Sequence, residues 1–422
     1  MRSNLQEWLQ HLEQLQPDRI ELGLERITQV AGKLGIGNPD FRIITVAGTN
    51  GKGSTVAYIN ALLTGLDYST GVYTSPHFIH FSERIVINSK RVDDDSLCRA
   101  FDAIEGARGD TALTYFEFTT LAAIWCFKAA NVDVAILEVG LGGRLDATNA
   151  WHSEVACISS IGIDHTDWLG DDRESIAVEK AGIARRDCPL VCGDTNQPQS
   201  IARVAQETGA RLLQRDRDFH VEPQSANQWR YTDAQSELLL PAPAIAGQWA
   251  MDNAAVAICA VSQFTATAPP LSVAQQALQS VVMTGRMQML AAGETTVVLD
   301  VAHNQAAAEK LDQYLKSAPV GGATRAVFGC MQDKAVDQVI ATLVSSVDEW
   351  FVTEIDYPRA MSGEDIALEL RRHDVKNSEI FASVIHAVKA AVAQSGSEDR
   401  VLVLGSFHVV APALEMLDNS PG

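Results

Sequence analysis

The segment Ala47-Gly48-Thr49-Asn50-Gly51-Lys52-Gly53-Ser54-Thr55 follows a strand-like run, Phe41-Arg42-Ile43-Ile44-Thr45-Val46. Glycines let backbone amides converge on one anion, and a helix opening near Ser54 adds the positive end of its dipole. Lys52 would reach the terminal phosphates of a nucleotide, and a hydroxyl of Ser54 or Thr55 would face a magnesium ion. The spacing departs from the common phosphate loop, since Gly48 stands three positions before Gly51 and Gly53 separates the lysine from the hydroxyl. An ordinary strand-to-helix turn is the competing reading.

Other candidates also stand where strands end. The apolar run Val134-Ala135-Ile136-Leu137 stops at Glu138, beside Gly140, Gly142 and Gly143 and ahead of Asp146. Ligands of open α/β sheets bind beyond the carboxyl ends of strands, so Glu138 is placed to hold a metal, or to be a solvated acid. Asp146 also suits a turn or a helix cap. His165, between Asp164 and Asp167, reads as a metal ligand, a proton carrier or a loop histidine. Ser75 offers a hydroxyl or belongs to a simple Ser-Pro turn. Lys180 by default is a solvated cation near a helix end. Asp300 and Arg286 suit a ribose hydroxyl and a phosphate, or an ion pair.

These residues need a scaffold of strands ending on one edge. Short β-branched runs alternate with helical patterns, which predicts a mainly parallel sheet covered by helices. Strands are expected at Ile43–Val46, Gly71–Tyr73, Val132–Val139, Val155–Ile161 and Leu190–Cys192. Hairpins or loops are expected over 211–246, then a helix over Asp252–Phe264. A second series runs through Thr296–Asp300, Arg325–Gly329, Trp350–Thr353 and Arg400–Gly405. The boundary is placed near Thr284-Gly285-Arg286, giving domains 1–284 and 285–422 with a cleft expected between them.

Composition narrows the partners. A net charge of −20 argues against general affinity for nucleic acid or an anionic membrane, though not against a local basic pocket. Seven cysteines without a Cys-x-x-Cys pair read as reduced, partly buried thiols. No stretch reads as a signal peptide or a membrane span, and a cytoplasmic location is expected.

Taken in order, Gly48 to Ser54, Thr74-Ser75-Pro76-His77, Glu138 to Asn149, Asp164-His165-Thr166, Glu179-Lys180-Ala181-Gly182 and Asp300-Val301-Ala302-His303-Asn304 resemble the folylpolyglutamate synthase family of the Mur ligase group. The resemblance implies an α/β protein with a P-loop ATPase N-terminal domain and a Rossmann-like C-terminal domain, closing over ATP and two magnesium ions. It implies that Thr49, Asn50, Gly51, Lys52, Gly53 and Ser54 hold phosphates, and that Ser75, Glu138 and His165 bind metal. Lys180 matches a lysine that family members carry as a carbamate. Asn253, Arg286 and Asp300 match ATP contacts, and Leu22, Gly23, Thr114, Tyr115, Phe116, Glu117, Leu145, Asp146 and Ala147 match positions that recognise dihydropteroate. Lys52, Asp146, His165 and Lys180 form the expected catalytic set. Gln305 departs from the family, many of whose members have proline there.

The implied reaction activates the carboxylate of 7,8-dihydropteroate as an acyl phosphate, which the amine of L-glutamate converts to an amide. Reduced folates serve as further acceptors at the same site. The segment Leu145-Asp146-Ala147 with Asp164 to Gly170 resembles the bifunctional or dihydrofolate-synthase members more than the strictly polyglutamylating ones; a chain with both activities is the expectation, a monofunctional synthase the alternative, and a monomer is the expected working unit. A peptidoglycan Mur ligase shares the phosphate loop but not the dihydropteroate-like segments. A switch NTPase, stimulated by a protein partner rather than by folate and glutamate, is the other competitor. In the dihydropteroate reading, Asp146 offers its carboxylate to ring N–H groups of the pterin.

Overall fold

A computed structural model describes residues 4–15 and 21–418. These form two compact units, one made of residues up to Ala244 with Gln248–Val281, the other of Ile245–Gly247 with residues from Val282 onward.

The first unit is built on strands β1 (Arg42–Ala47), β2 (Thr70–Tyr73), β3 (Ile85–Ile87), β4 (Lys90–Arg91), β5 (Val134–Glu138), β6 (Val155–Ile158), β7 (Pro189–Cys192) and β8 (Arg211–Gln214). Their order across the sheet is β4-β3-β2-β5-β1-β6-β7-β8. The six from β2 to β8 across that order run parallel, and β3 and β4 extend the edge in antiparallel fashion. Strands covered by helices on both faces must be apolar throughout, and every residue of β5, β6 and β7 is buried. One core packs Trp8 and Leu12 of the helix Leu5–Leu15 with Phe101, Phe118 and Leu137, and another gathers around Ile158, Ile176 and Leu190.

Register places the chemistry. In the parallel pairing of β1 with β5, Val46 lies opposite Glu138, so the glycine loop and the strand-end acid leave the sheet at the same level. The expected strand over Val132–Val139 is confined to Val134–Glu138, and that over Val155–Ile161 stops at Ile158. Ser159, Ser160 and Ile161 instead bond to neighbouring loops.

Residues 211–246 are not all hairpin. Arg211–Gln214 joins the main sheet beside β7, because the helix Gln199–Thr208 supplies a parallel crossover. The remainder forms the antiparallel strands β9 (Phe219–Ser225), β10 (Gln228–Asp233) and β11 (Glu237–Pro241). The helix expected over Asp252–Phe264 extends from Gln248 to Thr265.

The second unit carries strands β12 (Gln288–Ala292), β13 (Thr295–Asp300), β14 (Thr324–Phe328), β15 (Glu349–Thr353), β16 (Ser378–Phe381) and β17 (Arg400–Leu404), ordered β12-β13-β17-β14-β15-β16. Only β12 is antiparallel. Edge strands β12 and β16 escape the sequence reading because neither holds a fully buried residue and both have little β-branched character. The seven cysteines are free, five of them buried. No helix among the described residues is long and apolar enough to cross a membrane.

Ile136 is fully buried at the centre of β5, between β1 and β2. Ile136→Ala should destabilise the first unit by roughly 2–5 kcal/mol. The check is the shift of its urea unfolding midpoint.

Candidate functional site

Two lysines meet one carbonyl. Lys52, at the start of the helix Lys52–Thr64, donates from Nζ to the Gly48 carbonyl at 3.0 Å and to that of Thr49 at 3.3 Å. Lys180, 5 % exposed, donates to the same Gly48 carbonyl at 3.0 Å. Burial, reinforced by the Lys52 charge, pushes the Lys180 amine down to about 7, while Asp164 and Asp146 pull the other way. The solvated helix-end reading of Lys180 is therefore corrected: the helix Arg173–Ala181 carries it inward, against the glycine loop.

The loop takes its shape from β6. Thr49 donates its amide to Ser160 O at 2.8 Å, and its hydroxyl exchanges hydrogen bonds with the carbonyl and amide of Gly162. The Asn50 carbonyl accepts from the hydroxyls of Ser159 at 2.7 Å and Ser160 at 2.9 Å. Asp194 then fixes Ile161 through its amide at 2.7 Å and is itself held by Arg173 at 2.9 Å. Sequence reasoning missed all four of these side chains. The serine pair directly after an apolar strand was the available signal.

Gly51 has φ 87°, and a Cβ there would stand 2.4 Å from Oδ1 of Asn253. Asn253 is 4 % exposed, and its Nδ2 has no hydrogen-bond partner. A closely approached glycine, a helix N-terminus, two lysines and a buried amide donor lacking an acceptor make a cradle fitted to an anion such as a nucleotide phosphate. Ser54 and Thr55 are buried in the first turn of that helix.

Of the expected metal ligands, the structure brings Ser75 to Glu138: the Ser75 amide donates to Glu138 Oε2 at 3.3 Å, and Glu138 is 6 % exposed. His165 lies exposed on left-handed backbone, φ 54°, with its amide on the Asp164 carboxylate. It belongs to the loop that Thr49 ties down at Gly162. No group of three or more His, Cys, Asp or Glu side chains gathers among the described residues, and the expected set pairs Glu138 and His165 with a serine.

The dihydropteroate-like segments converge. The Gly23 amide meets Leu145 O at 3.3 Å, and Arg26 joins Glu117 to the Glu21 carbonyl near Leu22. Thr114 and Glu117 form a reciprocal cap on the helix Tyr115–Ala129. Tyr73 bonds through its hydroxyl to Thr119 and Thr120, whose hydroxyls also hold Phe116 O. Phe116 then lies so close to Gly140 that a Cβ there would stand 2.6 Å from its ring.

Two carboxylates expected at substrate contact also brace the backbone. Asp146, 2 % exposed, accepts from the amides of Gly140, Leu141 and Thr148 and from the Thr148 hydroxyl at 2.6 Å. Burial raises its pKa and these donors oppose the rise. Both of its oxygens are engaged in its own loop, and Asp146 shapes the turn before Ala147, as its turn-or-cap reading expects. Glu117, 3 % exposed, is likewise taken up by the helix cap and Arg26.

In the second unit, Asp300 accepts from the amides of Met287 at 2.9 Å and Ala302 at 2.8 Å. Burial raises its pKa, and the nearby Arg286 lowers it. The Arg286 guanidinium lies 5.5 Å from the Phe407 ring centre. Asn304 caps the helix that begins at Gln305.

The Mur ligase middle domain matches residues 46–261, and the Mur ligase glutamate ligase domain matches 285–407. The dihydrofolate synthase/folylpolyglutamate synthase of Escherichia coli K12 is 42% identical over 421 residues, covering 99% of this chain and 96% of that protein. Escherichia coli FolC in complex with DHPP and ADP superposes with a TM-score of 0.93 at 42% identity, over 99% of this chain and 98% of that one. A bifunctional folylpolyglutamate synthase/dihydrofolate synthase with Mn, AMPPNP and L-glutamate bound gives 0.91 at 41% identity, with the same coverage.

Asp146→Ala should cost roughly 1–3 kcal/mol for each buried donor left unpaired. Asp146→Asn should not restore that stability, because its NH2 would face N–H groups. Thermal unfolding measures the loss, and ligation to dihydropteroate and to reduced folate should fall by the same factor.

Proposed function

The chain belongs to the folylpolyglutamate synthase family of Mur ligases, and from that premise we propose how its residues share the joining of L-glutamate to a pteroate or folate carboxylate. It is an ATP-dependent, amide-forming ligase with dihydrofolate synthase and folylpolyglutamate synthase activities, and it uses a divalent metal. Its substrates are 7,8-dihydropteroate, reduced folates and L-glutamate. We place the boundary between its domains at 284/285.

The observation that carries the residue assignments is the convergence of Lys52 and Lys180 on the Gly48 carbonyl, beside Gly51 and the unpartnered amide of Asn253. Thr49 to Ser54 and Asn253 hold phosphate oxygens by backbone and side-chain donors, and Arg286 and Asp300 serve the rest of the nucleotide. Ser75, Glu138 and His165 are the side chains that would hold magnesium, two ions in all. The metal, when bound, offsets charge on the phosphoryl group during transfer. Lys52 does the same from the loop, a task of positioning and electrostatics. A carboxylate needs this activation because its own oxygen leaves poorly. Transfer of the phosphoryl group to it gives an acyl phosphate, and the glutamate amine then displaces phosphate. Leu22, Gly23, Leu145, Ala147 and Thr114 to Phe116 line the acceptor's place, with Asp146 and Glu117 holding their backbones.

Lys180 is the carbamate site. At pKa about 7 a large share of the amine is unprotonated near neutral pH. Its lone pair can attack the carbon of CO2: the N–C bond forms, one C–O π pair moves to oxygen, and Nζ releases a proton to solvent. The product is an anion beside Lys52 where two cations had met, which removes their repulsion and supports a metal.

ATP consumption with glutamate, assayed in parallel with dihydropteroate and with a reduced folate, tests the function. Lys52→Ala and Glu138→Ala should each lose roughly 100-fold or more of both ligations while keeping the fold. Near-normal turnover in either folded variant removes that assignment. For Lys180→Ala, millimolar formate or acetate should restore part of the lost activity, and wild-type activity should fall in CO2-depleted buffer and return with bicarbonate. No response to either addition removes the carbamate.

A further inference from the structure

Arg84 stands apart from the other arginines of the first unit. It is 8 % exposed, yet among the described residues no carboxylate lies within ion-pair reach of it. The adjacent Glu83 is taken up by the amides of Phe78, Ile79 and His80. Nε of Arg84 donates to Nδ1 of His77 at 2.7 Å, and its guanidinium carbon lies 5.5 Å from the Tyr115 ring centre and 5.8 Å from that of Phe81. The terminal nitrogens have no protein acceptor among the described residues. Those nitrogens are therefore open at the surface of an otherwise buried side chain, and the planar guanidinium matches a carboxylate.

Its place in the fold says which carboxylate. The Arg84 carbonyl accepts from the Thr74 amide at 3.0 Å, next to Ser75, whose own amide meets Glu138. An anion on the Arg84 fork therefore sits between the metal-side loop and Tyr115 of the acceptor segment. The reacting carboxylate is the poorer fit, because hydrogen bonds to both oxygens lower its nucleophilicity. A folate ends in glutamate and carries a second carboxylate, the α, a few bonds from the reacting γ. Dihydropteroate carries none.

We propose that Arg84 is a specificity-determining residue that receives the α-carboxylate of a folate's terminal glutamate and so sets its γ-carboxylate in line for ligation. This rests on the assignment of Tyr115 to the acceptor site.

The test compares kcat/KM for dihydropteroate, a reduced folate, and the same folate with its α-carboxylate converted to an amide. Wild-type turnover of the first two upholds the functional reading by itself, and the ratios decide the inference. In the wild type the α-amide should be roughly 10- to 100-fold poorer than the folate. Arg84→Met should lose a similar factor with the folate, lose far less with dihydropteroate, and no longer distinguish folate from α-amide. Arg84→Lys, which keeps the charge without the fork, should fall between. Equal losses with both acceptors in the variants, or a wild type indifferent to the α-amide, would overturn the assignment. The wild-type comparison holds whether or not the variants fold.

Discussion

The carbonyl oxygen of Gly48 accepts from the Nζ atoms of two lysines at once, and much of the first unit serves to keep them there. Like charges at that range repel, the more so with one of them buried. The arrangement persists because each lysine is held by its own helix, while the loop between them is fixed from outside by Thr49, Ser159 and Ser160. A protein with net charge −20 thus gathers the glycine-loop amides, a helix N-terminus and Lys52 at a single strand end. Anionic ligands are drawn to that point rather than to the surface at large.

Buried acids do the complementary work of bracing. Asp146, Glu117 and Asp194 each spend their oxygens on backbone amides or on an arginine. Such groups fix the backbone, rings and small side chains around them. The glycine loop and the 114–117 segment therefore share a style of construction: buried acids set the frame around them.

Alternating apolar runs and helical spans exposed the parallel sheets before any coordinates, since strands buried on both faces must be apolar throughout. The glycine loop was legible for a similar reason, because few other sequences allow its backbone path. Edge strands such as Gln288–Ala292 were not, having one wet face. The turn-and-cap role of Asp146 was legible from its residue type, whereas the bracing by Glu117 and the inward path of Lys180 were hidden. Sequence gives a residue's chemistry, but the partners that use up a carboxylate or desolvate an amine come from distant segments. Gly140 and Thr148 could be guessed for Asp146, whereas the meeting of Lys180 with Gly48 could not. Arg84 carried no signal at all, since only the lack of a counter-ion on a largely buried side chain marks it out.

The strand order of the first sheet has a consequence for the chain during its synthesis. Strand β1 is made early, yet its neighbours on either side, β5 and β6, come much later in the sequence. The loop that follows β1 waits further for Ser159, Ser160 and Lys180, and its last wall, Asn253, is among the final residues of the unit. A nascent chain holding only the glycine loop has the residues of a phosphate cradle without its shape. The ribosome must therefore release nearly the whole first unit before nucleotide can assist folding, so ligand stabilisation acts on the finished unit and not on its early fragments.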